Sequence, residues 1–408
     1  MTESVQSPHY IGSSSRDAHL AVLACFLGWT LDAFDFFLVV FCLTAIGAEF
    51  GRNDKQIALS LSLTLAFRPV GAVIFGTLAD RYGRRLPLIL NLLFYSVMEV
   101  LSGLAPGYRS FLVLRALFGI GMGGQWGVGA TLAMEKVSPR FRGVISGILQ
   151  EGYAAGYLLA AVAYYFVFPH WGWRPLFYLG GSPALLTLLV QFGVKESRVW
   201  EQTRARNWDD WNRSLAQHWP TMIYLTLLMA MMNFSSHGTQ DLFPTFLQRD
   251  WKLGPKDRAW ITAISMTGAI CGGLFFGRIS DFVGRRKAMM IAFLLAALTI
   301  PLWAFSPTLA MLTVGAWVMQ FMVQGAWGVI PAHITELSPD SVRGFLPGLA
   351  YQCGVLIAGT ISYLQAAYAT HTTYAHAMAM TMVTVFVVAI FVVFVGREKR
   401  GVEFGVVS

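Results

Sequence analysis

Gly76-Thr77-Leu78-Ala79-Asp80-Arg81-Tyr82-Gly83-Arg84-Arg85 returns as Gly277-Arg278-Ile279-Ser280-Asp281-Phe282-Val283-Gly284-Arg285-Arg286. From 76 to 277 the offset is 201 residues. Trp126-Gly127, Glu135 and Arg142-Gly143 return at the same offset as Trp327-Gly328, Glu336 and Arg343-Gly344. Two independent motifs sharing one offset mark an internal duplication. The glycines permit a tight turn and close helix approach. Asp80 and Asp281 are placed to accept charge-assisted hydrogen bonds, from arginines or from a helix N-terminus. Such bonds would latch one face of the molecule shut. Topology-setting charge accounts for Arg84, Arg85, Arg285 and Arg286, but leaves the paired aspartates unexplained.

The surrounding chain says what kind of fold is duplicated. Its 408 residues are 55% hydrophobic and 13% charged, with mean hydropathy +0.55. Soluble proteins carry about 25% charged residues, whereas here long apolar stretches alternate with short charged ones. A membrane-crossing helix needs roughly 20 apolar residues. Twelve candidates fall at approximately 20–45, 56–79, 86–105, 109–134, 143–168, 174–194, 220–247, 258–280, 287–305, 308–334, 345–368 and 374–396. The expected fold is an all-α membrane protein of twelve transmembrane helices in two pseudo-symmetric six-helix bundles. Its expected parts are a tail 1–18, a bundle 19–194, a linker 195–219, a second bundle 220–396 and a tail 397–408. In the linker, Trp200, Trp208, Trp211 and Leu215 fall near one helical face, which reads as a helix on the membrane surface. A disordered tether is the alternative.

The net charge of +8 does not point to nucleic acid, because of how it is distributed. An even number of spans puts both termini on one side, and most of the 30 Lys and Arg lie there. The positive-inside rule makes that side cytoplasmic. The first 18 residues lack an apolar core, so no cleavable signal is expected. Cys25, Cys42, Cys271 and Cys353 are scattered within spans and read as packed thiols.

Ionisable groups inside hydrocarbon are expensive, and they mark function by default. The seventh span carries Asn233-Phe234-Ser235-Ser236-His237-Gly238-Thr239-Gln240-Asp241. Asn233, His237 and Asp241 recur every fourth residue with Gln240 alongside, so one helical face is expected to hold all four. Asp32 and Asp35 share a face of the first span. Arg68, in the second, offers a planar fork matched to a carboxylate. Its repeat partner is Ala269, so Arg68 breaks the internal symmetry. The third span carries Glu99, the fourth Arg115, the fifth Glu151 and the eleventh Gln352. Arg115 reads either as functional or as a structural ion pair with Asp32 or Asp35. Glu99 and Glu151, nearer helix ends, read more readily as structural or gating charges.

The loop Gly-x-x-x-Asp-x-x-Gly-Arg-Arg, present twice at corresponding places, resembles the signature of the major facilitator superfamily. Arg115 followed by Gly119, Gly121, Gly123 and Gly124 is similar to that superfamily's fourth-helix pattern. The resemblance implies two bundles rocking about a central site. Asn233, Ser236, His237, Gln240, Asp241 and Thr245 together resemble the seventh-helix signature of the lactate permease-type branch of the sialate:proton symporter family. Leu27-Gly28-Trp29-Thr30-Leu31-Asp32-Ala33-Phe34-Asp35 is similar to the first span of that branch, and Arg68 stands at its substrate arginine. This implies a proton-coupled carrier of short monocarboxylates such as lactate or pyruvate. It also implies that Arg68 and the polar residues of the seventh helix carry substrate and proton.

From these residues the expected substrate-binding set is Arg68, Asn233, His237, Gln240 and Gln352. The proton-coupling set is Asp32, Asp35, His237 and Asp241. The ion-pair or gating set is Arg115, Glu99, Glu151, Asp80, Arg84, Asp281 and Arg285. No cofactor, metal, nucleic acid or catalytic residue is expected. The partners are a monocarboxylate anion, a proton and the lipid bilayer. A monomer in the bacterial inner membrane, both termini cytoplasmic, is the expected setting. Three other readings stand beside this one. They are a proton symporter of sialic acid, a dicarboxylate or an aromatic acid; a non-transporting nutrient sensor; and a drug antiporter, which the absence of a proline from Gly147–Gly156 disfavours.

Overall fold

A computed structural model of the chain describes residues 15–205 and 207–405. The part of the expected N-terminal tail before residue 15, Arg206 in the linker and residues 406–408 lie outside the described residues. Eight spans are single helices: span 1 (Ser15–Phe50), 2 (Asp54–Tyr82), 3 (Arg85–Gly103), 4 (Tyr108–Lys136), 8 (Pro255–Val283), 9 (Arg285–Ala304), 10 (Leu309–Leu337) and 12 (Tyr374–Val395). Four are interrupted: span 5 (Arg142–Gln150, Gly152–Trp171), 6 (Arg174–Leu179, Pro183–Gly193), 7 (Trp219–Gln240, Phe243–Arg249) and 11 (Leu346–Ala358, Ile361–Ala369). Among the described residues, ten helical runs are long and apolar enough to cross a membrane. Spans 7 and 11, both interrupted and polar, complete the twelve. Span 1 has 36 residues, or about 54 Å at 1.5 Å per residue. That exceeds a hydrocarbon core of about 30 Å, so it tilts or projects beyond it.

The ends of these helices follow from local chemistry. Asn53 starts span 2 with a reciprocal capping box to Gln56, and Thr308 and Thr373 cap spans 10 and 12. Gly83 and Gly284, one per repeat, turn the chain with φ of 101° and 103°. Residues with a Cβ are strained there, which is why the motif places glycine at both. Proline opens the second piece of spans 6 and 7, at Pro183 and Pro244. A residue without an N–H is at home in a helix's first turn and disrupts its interior.

Span 2 packs along span 4, and span 8 along span 10 by the same plan. The glycine ladder of span 4 makes this possible. A Cβ on Gly123 would fall 1.8 Å from the carbonyl oxygen of Arg68, and one on Gly119 2.2 Å from that of Thr64. Backbone contact on that side of span 2 leaves Arg68 to reach elsewhere.

The hydrogen bonds joining the two halves gather at the face carrying the linker. Asp80 accepts from the backbone N–H groups of Gly344 (2.6 Å) and Phe345 (3.2 Å), just ahead of span 11. Asp281 accepts from Gly143 (2.8 Å) and Val144 (3.1 Å) at the start of span 5. Each aspartate thus satisfies unpaired N–H groups at a helix start in the other half. Arg84 bridges Asp80 (2.7 Å) and Glu135 (3.0 Å), and Arg285 bridges Asp281 (2.8 Å) and Glu336 (3.0 Å). Burial alone would lower the pKa of Arg84, but the carboxylates of Glu135 and Asp80 more than offset it and raise the pKa above its ordinary value. Thr131 donates to the Arg343 carbonyl, and the Ala332 N–H to Ser146.

The linker differs from the single surface helix expected. It forms two short helices, Arg198–Thr203 and Trp208–Gln217. Trp200 and Trp211 are buried against protein. Their indole N–H groups donate to the carbonyl of Asp80 (2.7 Å) and to its carboxylate (3.3 Å). Trp211 also packs on Phe345, and Arg81 lies over the half-exposed Trp208. The apolar face of this segment covers the junction of the halves, because indole donors find acceptors there.

Candidate functional site

Arg68 is 4% exposed, and its Nε and Nη2 have no hydrogen-bond partner. Its guanidinium lies over the Tyr351 ring, 5.4 Å from the centroid. Asp32 is fully buried and within electrostatic range of Arg68; all carboxylate oxygens of Asp32 and Asp35 lack partners. Unpartnered buried groups of this kind are costly in a protein interior unless something else completes them. Tyr153, on span 5, interacts electrostatically with Tyr351, Arg68, Asp241 and Asp32 together. Residues from both halves therefore converge on one centre.

Spans 7 and 11 contribute a second polar group. His237 Nδ1 and Asp241 Oδ1 are 3.2 Å apart, each side chain 39% exposed. Asp241 also accepts from Ser362 (2.6 Å), just past the break in span 11. The helix of span 7 stops at Asp241 itself. Irregular backbone at membrane depth is tolerated where it is buried in protein or lines a cavity.

The expected single stripe on span 7 is divided. Asn233 is buried and donates back to the Met229 carbonyl (2.8 Å). Gln240 turns toward span 10 and donates to Gln320 (2.8 Å), which donates to Thr239 (3.2 Å). Gln324 donates to Ser236 (3.0 Å). Positions 233, 237 and 241 advance by 400° over four residues at 100° each, so the face drifts. Gln240 lies beyond its edge. Gln320 and Gln324, four apart in apolar span 10, carry the same polar signal and escaped the sequence reading. Gln352 donates to the Gly123 carbonyl of span 4 (3.3 Å), leaving its Oε1 without a partner.

Arg115 does not pair with Asp32 or Asp35. It makes a short ion pair with Glu99 on the neighbouring third span and covers the ring of Phe118 at 3.9 Å. Glu99 and Arg115 face each other because spans 3 and 4 are packed antiparallel neighbours. Glu151 sits at the break in span 5, against span 8 of the other half. A Cβ on Gly273 would fall 2.0 Å from its Oε1.

Aromatic rings enclose the centre. Tyr351 packs on Trp126 (4.7 Å), Trp327 (5.8 Å) and Trp29 (6.3 Å). Trp126 and Trp327 are repeat partners, so each half supplies the same ring to one stack. Arg68 lies over the Tyr351 ring of this stack.

The fold agrees with what the chain is similar to. A profile described as the Major Facilitator Superfamily matches residues 25–249, and one described as "Sugar (and other) transporter" matches 229–397. A "Carboxylic acid transporter protein homolog" of Saccharomyces cerevisiae is 28% identical, over 92% of this chain and 67% of its own length. The "Sialic acid transporter NanX" of Escherichia coli is 26% identical over 93% and 94%. A "Cis,cis-muconate transport protein" of Acinetobacter baylyi is 27% identical over 85% and 87%. In fold, the proton:xylose symporter XylE matches with TM-score 0.79 at 17% identity, covering 96% of this chain and 98% of that one. The human organic anion transporter MFSD10 matches with TM-score 0.76 at 15% identity, over 92% and 99%.

Proposed function

We propose that this chain, which belongs to the major facilitator superfamily, carries a short monocarboxylate such as lactate or pyruvate together with a proton. The observation that supports this most is Arg68. It is a buried guanidinium with two unpartnered donor atoms, beside an aromatic ring and close to Asp32. A substrate carboxylate docked there forms charge-assisted hydrogen bonds of the bidentate kind. Gln352, whose Oε1 is a free acceptor, accepts a hydrogen bond from the lactate hydroxyl. The names of the relatives, which include carriers of carboxylic, sialic and muconic acids, support an anionic cargo.

The charge balance supports a companion proton. Around the centre stand Asp32, Asp35, Glu99 and Asp241, against Arg68 and Arg115. Adding an anion to this excess of carboxylates is unfavourable in low dielectric. A proton taken up on His237–Asp241, or on Asp32 or Asp35, restores the balance. Only the fully loaded carrier then closes readily, which couples the two fluxes. In this cycle Asp80 and Asp281 latch the linker face, read as cytoplasmic, while substrate enters from the opposite side. Release requires those bonds to break.

The setting that goes with this function is a multi-pass protein of the plasma membrane, both termini cytoplasmic, acting as a monomer. A second reading keeps the mechanism and enlarges the acid, since relatives carry muconate and sialic acid in their names. The test is uptake of labelled lactate into proteoliposomes under an imposed inward proton gradient, with pyruvate, muconate and sialic acid as competitors. Stimulated uptake, displaced by pyruvate alone, is the expected result. Uptake indifferent to the gradient removes the symport; displacement by muconate or sialic acid favours the second reading.

A further inference from the structure

The segment after the last span returns to the middle of the linker face. Phe404 is 6% exposed, and its ring lies between two guanidinium groups. The central carbon of Arg142 is 3.5 Å from the ring centroid and that of Arg343 is 3.8 Å away. These arginines are partners in the 201-residue repeat; Arg142 opens span 5 and Arg343 lies just ahead of span 11. The ring therefore sits where the two halves are related to each other, touching the same residue in both.

The rest of the segment repeats this bridging. The carbonyl of Val402 accepts from Arg142 in the first half (2.5 Å), and the N–H of Gly405 donates to Asp340 in the second (2.9 Å). Gly405 also borders Gln202 and Thr203 of the linker. Both arginines are tied within their own half. Arg142 donates to the Met134 carbonyl, and Arg343 to the carbonyls of Thr335 and Ser338 and to Asp340. Each also leans toward an acidic residue of the opposite half, Glu336 at 3.9 Å and Glu135 at 3.8 Å. Because each guanidinium moves with its own half, parting the halves at this face pulls the two away from one ring. A cation over an aromatic face is favourable only within about 6 Å, so the ring keeps at most one partner once the face opens.

We propose that Phe404 is a strap that holds the linker-side gate closed and must leave its place between Arg142 and Arg343 for that gate to open. The strap belongs to the closed state and not to the fold of either half, since it joins groups that are each hydrogen-bonded to the backbone of their own half. It acts beside the Asp80 and Asp281 latches and makes opening sensitive to whatever engages residues 397–405. The inference rests on the reading of the two halves as rocking about a central site.

The test measures the gate itself. Spin labels on cysteines at exposed Arg140 and Lys287, one per half at the linker face, report the distance between halves in the full chain after its four native cysteines are replaced. Phe404 is changed to Ala, Leu and Tyr. Leu keeps an apolar side chain but lacks a π face, and Tyr keeps the face. Ala and Leu are expected to raise the ratio of long to short distances about tenfold, with Tyr unchanged, as the loss of a two-sided cation–π contact implies. Phe404→Leu, closer in volume than Ala, keeps the test decisive should Ala misfold. A Leu distribution identical to that of the parent overturns the strap while leaving the rocking reading intact. A parent that shows one distance under every condition, with or without lactate, overturns both.

Discussion

The carboxylate of Asp80 accepts the backbone N–H of Gly344 at 2.6 Å, from the opposite half of the molecule. Asp281 repeats the contact with Gly143 at 2.8 Å. Each bond joins a charged acceptor to a helix start, in a buried setting where such bonds contribute about 1.5–3 kcal/mol. Replacing Asp80 by Asn keeps the shape and removes the charge. The expected result is a gate that closes poorly and an initial uptake rate lowered at least roughly tenfold. Uptake assays on Asp80→Asn and Asp281→Asn check this; rates equal to the parent's would remove the latch from the account.

The same face depends on close helix approach. A Cβ on Gly127 would lie 2.5 Å from the Gly348 Cα across the interface. Gly127→Ala is expected to leave each half folded while holding the linker face apart. Gly107→Ala meets open space and serves as the control. Labelling of a cysteine placed at Ser146 should speed up in the first variant and not in the second.

Glu99 and Arg115 make a fully buried pair outside the proposed docking position. Removing one partner of such a pair typically costs about 3–5 kcal/mol, because the other charge is left alone. Glu99→Gln should therefore lower Tm by roughly 5 °C or more. Glu99→Gln combined with Arg115→Met should recover part of that loss. A double variant less stable than either single one would show that the pair is not acting as a unit.

Arg68→Lys retains the charge and loses the fork. A point charge on a flexible stem cannot bind both oxygens of a carboxylate in one plane. The expected effect is a rise in the lactate KM of about tenfold or more, with the thermal stability little changed. Unaltered KM would separate Arg68 from the substrate carboxylate.

Much of this was legible in the sequence, for physical reasons. Spans announce themselves because hydrocarbon admits few polar residues, and the duplication because Asp80 and Asp281 recur in register. Asp32, Arg68, His237 and Asp241 stand out because charge in a membrane is costly. The breaks at Glu151 and Gly359 were not legible, since no proline closely follows either; the one at Asp241 comes just before Pro244. Arg115 found Glu99 on the adjacent helix and not the aspartates of span 1, a choice made by helix rotation. The linker's Trp200 and Trp211 face Asp80 because a buried acceptor outcompetes a lipid surface for an indole N–H. Tyr153 gave no signal at all in an aromatic-rich span, yet it lies where both halves meet.

The central claim is that one acid and one proton move together through the site at Arg68. It is tested most directly by recording both fluxes at once in the same proteoliposomes, labelled lactate against an entrapped pH indicator, with no imposed gradient. The account predicts that adding lactate outside acidifies the lumen in step with lactate entry, and that Arg68→Lys diminishes both signals together. Lactate entering while the internal pH stays constant would contradict it.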